Sequence, residues 1–462
     1  MLGSRNTGVV RCTFKGASDP AKQQIAYSSS ISKEGGLQAL HGIRALACIA
    51  IVLGHCMFAL GYAWPQRHTE WYHALEQHSW MLALVNLAEP AMDTLLILSG
   101  FLAANSLLPA MQGKGAALPA VRQYYSKRMQ RMLPSYYSVL ALVYAAFLPI
   151  LGLQNVRAPE AQQAISTLWF NEGDGCPDKL WANFLFVNNN MRRAGCMKYA
   201  WSQAVQMQFY LLCPLLMLCL RPAAQKGLER RLAKASGVII AAVTAYRAVI
   251  ALDFQLPVPV FGPLDDPEAL DLMTRTLKVS YYSLLPRLTH LAFGMLGACA
   301  VRSPGTTYFV RSRKRMTGGL STLAAALLCA TLLSNRYGPE PVEGHPLNSP
   351  AAKVIGVAGV TGLLQPAALT LLVCCAVLGV SRRVTRALAW TGWRRMADVS
   401  YEMYLIHPMV MYAVWTVLPP SAWFDVQKPS ALAFLAVSAI VMWCSVGLAK
   451  VHHRIWSRLL QR

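Results

Sequence analysis

Residues 42–63 read GIRALACIAIVLGHCMFALGYA, apolar or small throughout except for Arg44 and His55. A helix needs about 20 such residues to cross the hydrocarbon core. In lipid the stretch must be helical, because unpaired backbone groups cannot face hydrocarbon. Arg44 and His55 are eleven residues apart, and eleven steps of 100° end roughly 20° past three full turns. Both therefore share one helix face, with a rise of roughly 16–17 Å between them. Arg44 falls at the cytoplasmic interface and His55 near the membrane middle. A cation at the entrance and a base with a near-neutral pKa deep inside suit an elongated anionic donor threading inward. A snorkelling arginine and a structural histidine bonded to another helix also fit.

Nine further segments match this pattern: 92–109, 133–153, 203–220, 235–252, 280–301, 317–334, 360–380, 398–418 and 430–449. The eighth of the ten spans is interrupted by Gly362 and Pro366. Composition agrees: 55% of the 462 residues are hydrophobic and 14% charged, with mean hydropathy +0.35, against about 25% charged in a soluble domain. Soluble, fibrous, disordered and small disulfide-scaffold classes are excluded. The net charge of +22 is spread in short clusters between apolar runs, not gathered on a basic face, so nucleic acid is not the expected partner. With both termini on one side, that side carries 29 Lys+Arg against 4 Asp+Glu, and the other carries 11 against 16. Basic loops stay cytoplasmic. The expected fold class is an all-α polytopic membrane protein with about ten transmembrane helices and both termini cytoplasmic. A basic tail spans 1–37, the ten-helix domain 38–450 with an extracytoplasmic loop at 154–202, and a second basic tail 451–462. Cys176 and Cys196 are the two cysteines of the external loops. An oxidising compartment favours a disulfide between them, although two loop cysteines can also stay free.

Ionisable groups inside membrane helices are costly and point to function. Asp93 stands at the outer end of the second span, followed by Ser99-Gly100-Phe101. Arg128 and Arg131 open the third, where paired arginines suit phosphate, as they also suit plain topology. In the ninth, Tyr401, Glu402, Tyr404 and His407 precede Pro408, which removes a helix bond to the Tyr404 carbonyl. Together these features imply a wet cavity within the bundle. His41, His68, His73 and His78 lack partners at ligand spacing, so no metal site is expected.

These residues resemble the membrane acyltransferase 3 superfamily, which includes O-antigen and peptidoglycan O-acetyltransferases. Arg44 and His55 match its R-x10-H motif, and Asp93 with Ser99-Gly100-Phe101 its SGF segment. Arg128-Met129-Gln130-Arg131 matches RxxR, Ser400 to Pro408 matches SYxxYLxHP, and Arg287 with Gly294 a later R-to-G segment. Trp181 to Asn189, Cys196-Met197 and Met207 to Tyr210 look most like the eukaryotic "nose resistant to fluoxetine" branch, which also implies that the external cysteines pair. One position departs: Gln206 stands where relatives carry a carboxylate, and an amide cannot neutralise an imidazolium.

The resemblance implies acyl transfer, often of acetyl, from a coenzyme A thioester to a hydroxyl of a glycan, lipid or other acceptor. Arg44, Arg128 and Arg131, with Ser99, would hold the donor, which is a substrate; no cofactor is expected to be permanently bound. His55 would act as general base or brief acyl carrier, and Asp93 would orient it. Tyr404 and His407 would line the cavity or position the acyl group. Arg247 and Arg287 would contact a polar acceptor, and Gln206 and Tyr210 would line the acceptor side of the cavity. The rival expectation is a non-catalytic transporter or lipid-handling protein of the same fold, which Gln206 fits. The membrane would be an endomembrane or the plasma membrane if the source is eukaryotic.

Overall fold

The computed structural model describes residues 36–63, 68–112, 117–149, 165, 169, 176–191, 196–221, 227–253, 278–334 and 349–459. Nearly all of the expected N-terminal tail, with Cys12, and much of the loop expected at 154–202 lie outside the described residues. So do 460–462.

The described residues are helical with no strand. The long helices are α1 (Leu37–Ala63), α2 (Ser79–Gln112), α3 (Ala117–Leu142), α4 (Trp201–Leu220), α5 (Leu228–Asp253), α6 (Leu284–Arg302), α7 (Lys314–Leu332), α8 (Gln365–Leu378), α9 (Ser400–Val417) and α10 (Ala431–Leu459). They follow the order of the ten expected spans. Eight described helical stretches are long and apolar enough to cross a membrane; α3 and α9 fall outside that set. The reason lies in composition. α3 opens with Arg122, Lys127, Arg128 and Arg131, and α9 carries Glu402, His407 and three tyrosines. The interrupted eighth span resolves into a π-helical stretch, Ile355–Leu364, leading into α8, where Pro366 falls in the first turn. The Gln365 N–H still bonds the Val360 carbonyl of that stretch, so Pro366, which has no N–H, falls where the helix changes from π to α spacing. α8 ends at Gly379, whose φ of 67° gives the left-handed cap that favours glycine.

The centre of the bundle is α2 packed on α6 and α1. In both α2 and α6, 67% of the most apolar window is buried, against 17% in α7 and 28% in α10, which lie at the periphery of the bundle. The α2–α6 crossing depends on two glycines. A Cβ on Gly100 would strike the Leu291 carbonyl, and one on Gly294 would strike the Ile97 carbonyl. With hydrogens in place of side chains the two backbones touch, the close approach that small residues permit in membrane bundles. This crossing sets the relative depth of Asp93 on α2 and Arg287 on α6.

Candidate active site

The α1 stripe runs from Arg44 through Cys48 to His55. Cys48 bonds the Ser400 carbonyl at 3.2 Å, which ties the stripe to the start of α9. At the deep end His55 Nδ1 lies 2.8 Å from His407 Nε2, bringing together two residues 352 positions apart. Ring centroids 5.0 Å apart at 26° suit two imidazoles joined end to end. His407 Nδ1 lies 2.7 Å from the Tyr404 carbonyl, the group that Pro408 leaves without its helix N–H. His407 is fully buried and His55 half-buried. Trp169, a residue of the expected external loop, packs 5.5 Å from the His55 ring inside the bundle. Tyr199 and Tyr404 close the other sides, at 6.2 Å and 5.7 Å from His407. The Tyr404 hydroxyl donates to the Tyr199 carbonyl and meets Ser202 Oγ at 3.0 Å.

Ser202, Gln206 and Tyr210 follow at intervals of four along α4 and so share a face. Its upper end touches Tyr404 through Ser202, and its lower end lies beneath Arg128, whose guanidinium sits 4.8 Å from the Tyr210 ring. Arg44 feels the charges of Arg131 and Arg128. None of the three forms an ion pair with a described carboxylate. Asp398 acts on Arg44 with the opposite sign and offsets part of the repulsion among the three cations, and an anionic ligand would relieve more of it. Gln206 lies half-buried midway along this face. The α1 and α4 faces thus both lead from arginines to the histidine pair.

Asp93 lies elsewhere. Its Oδ1 accepts from Arg287 Nη1 at 2.6 Å, and its Oδ2 accepts from Gln365 Nε2 at 2.9 Å and lies 3.1 Å from His290 Nε2. The expected orienting carboxylate is therefore committed to α6 and α8, and His55 takes His407 as its partner instead. Arg287 also donates through Nε to the Tyr281 carbonyl and lies 3.7 Å over the Tyr281 ring. Arg247 is held by the carbonyls of Val357 and Pro286 and by Thr361 Oγ1, which anchors the π-helical stretch. Ser99 bonds back to its own helix, at the Leu95 carbonyl, and has no hydrogen bond to Arg44, Arg128 or Arg131 among the described residues. Tyr210 belongs with Arg128, not with Arg247 and Arg287. Glu402 of α9 turns away from His55 and His407 and bonds Ser135 and His453.

Cys176 and Cys196 form a disulfide that closes the segment before α4. Buried asparagines hold it: Asn183 Oδ1 accepts from the Cys196 N–H, and Gln208 of α4 bonds Asn189 and the Phe186 carbonyl. Phe186 has a φ of 55°, uncommon for a bulky side chain, and the Gln208 bond pins it there. The run from Trp181 to Asn189 is thus a packed support beside the site. His290, Gln365, Trp169 and Tyr199 join these sites without being expected from sequence. His290 carries a signal, three residues after Arg287 on one helix; Trp169 and Tyr199 carry none.

The C. elegans protein "Nose resistant to fluoxetine protein 6" is 27% identical over 194 residues, covering 39% of this chain. The chain spans 22% of that protein's length. No solved structure matches. The acyltransferase 3 family, described as an acyltransferase domain, matches residues 37–450, nearly the whole bundle, and this integral membrane protein belongs to that family.

Proposed function

We propose that the protein transfers an acyl group, acetyl in the simplest case, from an acyl-coenzyme A to a hydroxyl of a glycan, lipid or other acceptor. The observation that carries this reading is the placement of the His55–His407 pair along one stripe from Arg44, with Arg128 and Arg131 beside that arginine. The arginines hold the donor's phosphates at the cytoplasmic face. The pantetheine arm then runs along the α1 and α4 faces and delivers its thioester to His55. His55 Nε2 takes the acceptor proton as the acceptor oxygen attacks the thioester carbonyl. The C–S bond breaks, the proton passes to the leaving thiolate, and an ester and free coenzyme A result. Trp169, Tyr199 and Tyr404 surround the reacting atoms and reduce competition from water.

The test is coenzyme A release from acetyl-CoA by membranes holding the wild type or His55→Ala, with equal insertion verified. Loss of release in the variant is expected. Full transfer by His55→Ala overturns the mechanism. Silence of both proteins over several acyl donors, in membranes supplying native acceptors, favours the transport or lipid-handling reading. Gln206, an amide midway along the passage, is the residue that favours that second reading.

A further inference from the structure

We propose that Pro408 and His407 set the tautomer of His55, leaving its Nε2 as the bare, proton-accepting nitrogen of the resting protein. The inference rests on the reading of His55 as the base, but the tautomer is a property of the protein at rest. It can be measured without turnover.

One chain of contacts leads from the proline to that nitrogen. Proline has no N–H, so the Tyr404 carbonyl loses the helix bond that residue 408 would donate. A bare carbonyl inside a membrane bundle is costly, and His407 Nδ1 fills the gap at 2.7 Å. A carbonyl only accepts, so His407 Nδ1 carries the proton. In a neutral imidazole the second nitrogen is then an acceptor. Neutral is the form that fits, because His407 is 0% exposed with no carboxylate bonded to it among the described residues. His407 Nε2 therefore accepts from His55 Nδ1 at 2.8 Å, and His55 Nε2 is left without a proton. No described residue hydrogen-bonds that nitrogen. The nearby hydroxyls do not compete: Tyr199 donates to the Leu405 carbonyl and Tyr404 to the Tyr199 carbonyl.

His407 is thus a positioning residue. When His55 Nε2 receives the acceptor proton, the Nδ1–H bond to His407 becomes charge-assisted and shortens. A neutral imidazole tied to a backbone carbonyl holds the base here, a task a carboxylate performs in other acyl-transfer sites. The tie comes from a proline one residue away in sequence.

The experiment is 15N spectroscopy of histidine-labelled protein in bilayers, with His55 assigned by difference from His55→Gln. Wild type is expected to show His55 Nδ1 protonated and Nε2 bare. Pro408→Ala supplies an N–H to the Tyr404 carbonyl and should let the Nε2-protonated form of His55 appear. His407→Leu removes the acceptor and should do the same. His407→Gln keeps both bonds, with its amide N–H toward Tyr404 and its carbonyl toward His55, and should restore the wild-type tautomer. Turnover should follow, falling roughly tenfold to a hundredfold in His407→Leu and recovering in His407→Gln, a fraction of the ~10²–10⁴ that a positioned base contributes. A protonated Nε2 on His55 in wild type overturns the inference, as does an unchanged tautomer in both Pro408→Ala and His407→Leu. The expected tautomers without any acyl transfer would support this inference while refuting the transferase reading.

Discussion

Replacing Asp93 with Asn tests the centre of the bundle. The carboxylate is 1% exposed and holds Arg287 at 2.6 Å, Gln365 at 2.9 Å and His290 at 3.1 Å, with Arg287 also 1% exposed. The shape survives in Asn, and Gln365 can turn its unpartnered Oε1 toward the new amide, so the main loss is the charge. Breaking one side of a buried ion pair costs about 3–5 kcal/mol. Arg287 keeps the Tyr281 carbonyl and its place over the Tyr281 ring, a contact worth about 0.5–2 kcal/mol, so the lower half of that range is expected. Removing both charges, as Asp93→Asn with Arg287→Met, should recover most of the loss, since a buried pair replaced by apolar groups is often near neutral. The assay is a double-mutant cycle on reversible unfolding in bicelles, with a coupling of about 2–3 kcal/mol expected. A loss below ~1 kcal/mol in Asp93→Asn, or a double variant as unstable as the two single losses added, would refute the reasoning.

Three other outcomes follow from the geometry. Gly100→Val should destabilise by at least about 1–3 kcal/mol, because its Cβ meets the Leu291 backbone, which cannot step aside. Gly318→Ala on α7, with nothing within 4 Å of an added Cβ, should be neutral or stabilise by about 0.5–1 kcal/mol. Equal thermal shifts for the two variants would contradict the crossing. Cys176→Ser opens a loop with a sequence separation of 20, an entropic loss of about 3 kcal/mol. Faster amide exchange at Cys196 and Tyr199 should report it, while exchange in α6 stays unchanged. Arg44→Met should raise the KM for acyl-CoA roughly tenfold to a hundredfold, the worth of a charge-assisted bond of about 1.5–3 kcal/mol. A KM unchanged in both Arg44→Met and Arg131→Met would remove the arginines from the donor site.

Two of the polar clusters among the described residues differ in kind. Asp93, Arg287, Gln365 and His290 join α2, α6 and α8 through one buried carboxylate. His55 and His407 join α1 to α9 without one. The first is built like a structural clamp and the second keeps a nitrogen open. Under the proposed function, that difference favours the histidines over the carboxylate cluster as the place of acyl transfer.

Much of this is legible in the sequence, because its determinants are local. A run of apolar residues specifies a spanning helix wherever it lies, and eleven residues place Arg44 and His55 on one face whatever packs against them. The absent N–H of Pro408 marks an unbonded Tyr404 carbonyl from the order of residues alone. What α-helical periodicity cannot supply is the partner across a helix interface, since this depends on rotation and depth of two helices joined by long connections. His55 and His407 are 352 residues apart, and Asp93 and Arg287 are 194 apart. The expected Asp93–His55 pairing fails for that reason: the Gly100–Gly294 crossing turns Asp93 toward α6. The spanning helices and the Arg44–His55 stripe belong to the sequence alone. Which imidazole meets which, and which carboxylate is spent on an arginine, is decided by packing, because only backbone contact between helices fixes their register.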